Sequence, residues 1–224
     1  LNPERVLALD VSTKTGYALV VSSDSGMKLE NYGTISQIHQ PDGNYPSNYV
    51  IWAYDCFNEI LKIINSSNPD VLVIEETSKG SKNAMSQKIL EFLHFLLAQY
   101  IKDNHIKSVY IMTEQWRREI GCQMSKEEKL RNKEVRTYKK KNKTIIAYDI
   151  NGKRTGLIGR KHVNIRRVSE IFAGQLKEPL KRKSEDEADA LGLSACYHFR
   201  KTSKNTKIEE VTLEDMLKLE INKV

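Results

Sequence analysis

Cysteine is scarce in this 224-residue chain: Cys56, Cys122 and Cys196 are odd in number and far apart. That spacing argues against a disulfide framework and against a zinc site, and leaves three free thiols of the interior. Proline and glycine number only 5 and 11, which excludes collagen-like and low-complexity chains. No apolar run approaches the ~20 residues of a membrane span. No charged-then-apolar leader opens the sequence, so the expectation is a protein of the cytoplasm. Internal repeats are lacking too. What is present, 39% hydrophobic and 29% charged residues, is the composition of a globular domain large enough to bury a full core.

Charge is unevenly spread. The net charge is +7, but between Cys122 and Arg167 fifteen Lys or Arg stand against four Asp or Glu, so that segment carries +11 and the remainder −4. A basic segment joined to an acidic remainder points to a polyanion, nucleic acid foremost, with a solvated basic surface as the plainer alternative. Lys126, Lys129, Lys133 and Arg136 recur at the spacing of one helix face. With Lys153, Arg154, Arg160, Lys161 and Arg166 they are candidate phosphate contacts, which give affinity without sequence information.

The apolar pattern predicts a mixed α/β architecture. A continuous apolar run over residues 5–11 reads as a buried strand, and GYALVVS (16–22) and residues 29–36 complete an antiparallel meander. After a loop over 37–48, a helix over 47–66 carries Ile51, Phe57, Ile60, Leu61 and Ile64 as its stripe. A strand from Pro69 to Glu75 follows, and the helical crossover implies parallel pairing with the first strand. The helix over 84–103 is apolar nearly all round, and its second greasy face suggests a subunit contact. A strand over 109–112 and a short helix over 114–120 come next. Residues 125–141 read as a charged helix, and alternation on both sides of Asn151-Gly152 predicts a hairpin turning there. Helices over 161–176 and 184–199 follow, the second with Ser184 and Glu187 as a capping box. The organisation expected is one domain over 1–200 with an insertion at about 122–160, then a linker and short helix, capped by Thr212, over 201–224.

Three acidic patches carry the chemistry. Asp10 closes the first strand, Glu75 closes the Val71-Leu72-Val73-Ile74 strand, and Asp186 and Asp189 share a helix face three residues apart. A carboxylate closing a buried strand needs a reason, and converging carboxylates that hold metal ions supply one. Oxygen-only ligands suit Mg²⁺ or Mn²⁺, and two such ions about 3.5–4 Å apart activate water and stabilise a leaving oxygen. Each acid has a structural alternative: Asp10 as a turn former with Ser12 and Thr13, Glu75 paired to a lysine, Asp186 complementing a helix dipole.

The order of these pieces resembles a known family. LALDVSTKTGYALV, DVLVIEE, Asn83 with the helix after it, WRREIG and DEADALGLSA resemble the RuvC-type Holliday junction resolvases of the RNase H-like superfamily, in a phage or low-GC bacterial form. The resemblance implies an RNase H-like mixed five-stranded sheet flanked by helices, here with a basic helix-plus-hairpin insertion. It puts the catalytic and metal-binding acids at Asp10, Glu75, Asp186 and Asp189, with two Mg²⁺ or Mn²⁺ ions per site. It implies a homodimer, formed through the helix over 84–103, that cuts four-way and other branched DNA by paired phosphodiester hydrolysis. Its basic residues beside the site fall on Arg117 or Arg118 and on Lys161. Two departures stand out: Val11-Ser12 where the family has Pro-Gly, and residues 122–160, which lack a counterpart in the compact enzyme.

Other functions compete. An RNase H-like nuclease acting on RNA–DNA hybrids, flaps or forks would use the same acids. Asp10 with Ser-Thr-Lys-Thr-Gly is also similar to the phosphate loop of actin-like ATPases, but one domain's length and few glycines argue against it. A non-catalytic DNA-binding module would have little use for four intact carboxylates.

Overall fold

The structure, a computed structural model, describes residues 2–76, 84–139, 145–148, 151, 153 and 155–203. A five-stranded sheet forms its centre, in the order β3-β2-β1-β4-β5. Strands β1 (Glu4–Asp10), β2 (Gly16–Ser23) and β3 (Gly26–Thr34) make the antiparallel meander, and β4 (Val71–Glu76) and β5 (Lys107–Met112) add to it in parallel. This is the mixed sheet expected from the sequence. Ser23 pairs with Gly26, so Asp24 and Ser25 form the two-residue turn, and Gly26 takes φ 132° there.

The alternation of side chains sorts β1 and β4 between two layers. Leu7, Leu9, Leu72 and Ile74 face helices α1 (Ser47–Ser67) and α2 (Ala84–Asp103). Val6, Ala8, Val71 and Val73 face the opposite layer, built from α3 (Thr113–Glu119), α5 (Arg160–Ile171) and α6 (Glu185–Thr202). All eight are fully buried, so each strand reads as a continuous apolar run rather than an alternating one. In α1 the buried stripe is Ala53, Phe57, Ile60 and Ile64; Ile51, expected within it, is 50% exposed. The helix ends at Asn68 in the left-handed region, φ 42°, whose N–H returns to the Ile64 carbonyl.

The basic insertion departs from its expected form. Helix α4 runs only over Lys126–Glu134, opened by a complete capping box between Ser125 and Glu128. Val135 leaves the helix with ψ 118°, and the Thr- and Tyr-bearing residues Arg136–Lys139 become strand β6, paired with β7 (Ile145–Tyr148). Strand Ile145–Tyr148, expected to lead into a turn at Asn151-Gly152, pairs instead with the segment before it, from Arg136↔Tyr148 to Lys139↔Ile145; Gly152 lies outside the described residues. Asn132 anchors α4 by exchanging hydrogen bonds with Ile158: its Nδ2 donates to the carbonyl at 2.9 Å and its Oδ1 accepts from the N–H at 3.0 Å.

Helix α5 stops at Ile171, short of the expected 176, and Gly174 takes φ 77° just beyond. A 3₁₀ turn at Arg182–Ser184 leads into α6. The Ser184–Glu187 capping box does not form; Glu187 accepts instead from Thr34 Oγ1 at 3.2 Å. Among the described residues no helix is long and apolar enough to cross a membrane. The short helix expected near Thr212 lies outside the described residues.

Candidate active site

Parallel pairing of β1 with β4 puts Leu9 beside Ile74, so the next residues, Asp10 and Glu75, leave the sheet side by side at its C-terminal edge. Both belong to the strand face covered by α6, the face of Ala8 and Val73. Helix α6 crosses β2 and β1 close enough that only glycine fits at position 16. A Cβ on Gly16 would lie 1.9 Å from the Asp186 carbonyl oxygen. That approach brings Asp189 to the sheet edge. One carboxylate oxygen from each of Asp10, Glu75 and Asp189 then lies within 4.8 Å of the others, the one such acidic cluster among the described residues.

Each acid is held from behind. Glu75 accepts from Thr113 Oγ1 and, at 3.3 Å, from Trp116 Nε1. Asp189 accepts from Arg117 Nη2 at 2.9 Å and from Asn164 Nδ2 at 3.1 Å. Trp116 is fully buried and stacks against Gly192, where a Cβ would meet its ring at 2.5 Å. Arg117 lies over the Trp116 ring at 4.9 Å. Its Nε is buried and has no hydrogen-bond partner among the described residues, a donor left over beside the acids.

Electrostatics leave the cluster short of positive charge. Burial raises the Asp10 carboxyl well above the ordinary carboxylate range, and the neighbouring Glu75, Asp189 and Asp186 charges push it further; Arg117 opposes them. Burial also raises Glu75, against the pull of the Thr113 hydrogen bond, and raises Asp189, against Arg117 and Asn164. Three carboxylates thus share one guanidinium contact, and ionising all of them leaves uncompensated negative charge in a partly dry site. An oxygen-only donor set with an unneutralised charge fits a hard divalent cation such as Mg²⁺ or Mn²⁺.

Of the four acids named from sequence, three converge and the fourth does not join them. Asp186 pairs instead with Lys14 Nζ at 2.8 Å. Among the basic candidates, Arg117 is inside the site and Arg118 is exposed beside it on α3. Lys126, Lys129 and Lys133 are all exposed on α4. Lys161 pairs with Glu185, and Arg166 pairs with Glu128 of α4. Arg160 and Lys153 are exposed, the Arg136 side chain is not described, and Arg154 lies outside the described residues. Thr113, Asn164 and Lys14 contact these acids without being among the sequence candidates. Thr113 and Trp116 carry a faint signal, a T-x-x-W-R spacing right after the strand beside Glu75; Asn164 and Lys14 carry none.

No protein-family description matches the chain, and no curated protein is recognisably similar to it in sequence. Its fold, however, matches solved structures. RuvC of Thermus thermophilus superimposes with a TM-score of 0.56 at 13% identity over 88% of this chain and 95% of that one. The same protein in complex with a Holliday junction substrate gives 0.56 at 9% identity, covering 89% and 96%. The yeast mitochondrial Holliday junction resolvase gives 0.54 at 13% identity, covering 87% and 78%. The likeness establishes the RuvC-like fold, as the sequence motifs implied.

Proposed function

We propose that the chain is a divalent-metal-dependent endonuclease that resolves four-way and other branched DNA junctions by hydrolysing phosphodiesters. The observation that carries this reading is the convergence of Asp10, Glu75 and Asp189 at one sheet edge of a RuvC-like fold. Asp10, Glu75 and Asp189, with Asp186 beside them, would hold Mg²⁺ or Mn²⁺, two ions per site. An ion held there would supply Lewis acidity, lowering the pKa of a water and offsetting charge on the phosphate. The chain's own residues do the positioning. Thr113 and Trp116 aim Glu75, while Asn164 and Arg117 aim Asp189. Arg117 also keeps a guanidinium charge beside the acids.

Phosphate contacts outside the site come from Arg118, Lys126, Lys129, Lys133, Arg136, Lys153, Arg154, Arg160, Lys161 and Arg166. Symmetric nicking needs two sites, so the active form is a homodimer joined through α2, whose Phe95 is 66% exposed. A cytoplasmic setting, in a bacterium or a phage-infected cell, accords with DNA as substrate. The test is incubation of the purified protein with labelled four-way, forked and linear DNA and an RNA–DNA hybrid, with Mg²⁺ and with EDTA. Metal-dependent, paired cutting of the four-way junction is expected, lost in Asp10→Asn and Glu75→Gln while junction binding persists. Cutting of the hybrid alone, or full cutting in EDTA, would overturn the proposal.

A further inference from the structure

Asp186 stands one turn before Asp189 on α6, and its charge reaches both Asp10 and Asp189, yet its carboxylate is not in the converging trio. Its Oδ2 is taken by the Lys14 ammonium at 2.8 Å. Lys14 sits in the turn between β1 and β2, and that turn is tied to itself. The Ser12 N–H donates to Thr15 Oγ1 at 3.1 Å, Thr15 Oγ1 donates to the Ser12 carbonyl at 2.7 Å, and the Lys14 N–H donates to Ser12 Oγ at 3.1 Å. The Lys14 backbone is therefore fixed four positions after Asp10, while its side chain, 42% exposed, extends to Asp186.

We infer that the Lys14 ammonium takes the place of a second cation at Asp186 and makes the two ion positions of the acidic site unequal. The tight position is that of Asp10, Glu75 and Asp189; the weaker one, at Asp186, fills only when Lys14 is displaced. This rests on the reading of the site as a divalent-ion nuclease centre. The chemistry of the two cations separates their parts. An ammonium on a flexible four-carbon stem is a compact point charge that can let go and swing to a new anion. The Arg117 guanidinium, stacked on Trp116 and bonded to Asp189, is held in place. A half-exposed ion pair of this kind is weak in itself, so displacing Lys14 costs little when an ion brings further ligands. DNA phosphates supply such ligands to Mg²⁺, and the released ammonium has a phosphate to go to. The site thus fills at a lower ion concentration with substrate in place than without it.

Titration of the metal-free full chain with Mn²⁺, reading free Mn²⁺ by electron paramagnetic resonance without DNA, tests this. Wild type should bind one ion tightly and a second weakly. Lys14→Met should tighten the second by about tenfold, the effect of lifting one opposing charge at a partly solvated site, and leave the first unchanged. Lys14→Arg should keep the wild-type pattern, and Asp186→Asn should lose the weak ion alone. Unfolding of the Met variant is excluded by an unchanged melting curve. A second-ion affinity that is unchanged or weaker in Lys14→Met would overturn the inference while the tight ion still stands. Absence of any bound Mn²⁺ in wild type would instead strike down the divalent-ion reading itself.

Discussion

Replacing Gly16 by alanine should disable the site without touching any acid. The Cβ would lie 1.9 Å from the Asp186 carbonyl oxygen and 2.3 Å from its carbon. Both are backbone atoms, so no side chain can swing aside. Restoring an ordinary contact of about 3.2 Å or more requires α6 and β2 to part by about 1.3 Å, because van der Waals repulsion forbids anything closer. Gly16 does not sit in the left-handed region, so the whole effect is steric. Overpacking of this kind costs about 1–3 kcal/mol, which for a domain of this size lowers Tm by about 2–4 °C per kcal/mol. The functional loss should be larger than the loss of stability. Asp189 rides on α6 while Asp10 and Glu75 stay with the sheet, and a displacement of about 1 Å at a reacting centre costs on the order of a hundredfold in rate. The assay pairs a melting curve with single-turnover cutting of a labelled four-way junction and Mn²⁺ binding. Gly156→Ala is the control: a Cβ there meets nothing within 4 Å, so all three readouts should be unchanged. If Gly16→Ala melts and cuts like wild type, α6 is not seated by this contact and the account of how Asp189 reaches the sheet edge is wrong.

Three further outcomes are expected. The folded protein raises the pKa of Asp10, Glu75 and Asp189, so it binds more protons than the unfolded chain around and above the ordinary carboxylate range. Their contribution to stability is therefore lost as pH rises through the raised values. In EDTA, Asp10→Asn should melt a few degrees above wild type near pH ~7.5, and the gap should shrink toward pH ~4.5; equal gaps across that range in differential scanning fluorimetry would refute it. Thr113→Val keeps the shape but removes the hydroxyl that holds Glu75, and should weaken Mn²⁺ affinity by about 10- to 100-fold; unchanged calorimetric binding would count against that role. Converting Lys126, Lys129 and Lys133 together to alanine should make the slope of log affinity against log salt shallower by ~2.7 if each meets a phosphate. A slope equal to wild type would show that the exposed face of α4 serves something other than DNA.

Much of this arrangement is legible in the sequence because strands broadcast it. Two apolar runs ending in Asp10 and Glu75, joined by a helical crossover, leave few options but parallel neighbours with their acids at one edge. The helix is less forthcoming. Asp186 and Asp189 share a face by spacing, but three residues also separate them by about 4.5 Å along the axis. That rise lets Asp189 enter the trio while Asp186 meets Lys14, a partner 172 residues away that no local pattern announces. The hairpin differs from its expected place for a related reason. Asn-Gly is a strong turn signal, but strand pairing of Arg136–Lys139 with Ile145–Tyr148 decides where the chain reverses.

Long-range contacts also fix α6 in the fold. Its start is seated against Gly16, and Gly192 at its middle admits the Trp116 ring. Near its end, Ser22 Oγ and His198 Nδ1 meet at 2.8 Å, Tyr197 donates to Glu4 at 2.8 Å, and Lys201 pairs with the same Glu4. Arg200 makes a two-pronged contact with Glu119 of α3 at 2.6 and 2.7 Å. Helix α3 is the element that also supplies Thr113, Trp116 and Arg117, so this contact locks together the helices that carry Asp189 and the groups that hold Glu75. Carboxylates that repel one another stay in place only if their supports are stiffer than the repulsion. Two glycine contacts, a buried Ser–His bond and these ion pairs supply that stiffness from residues scattered between positions 4 and 201.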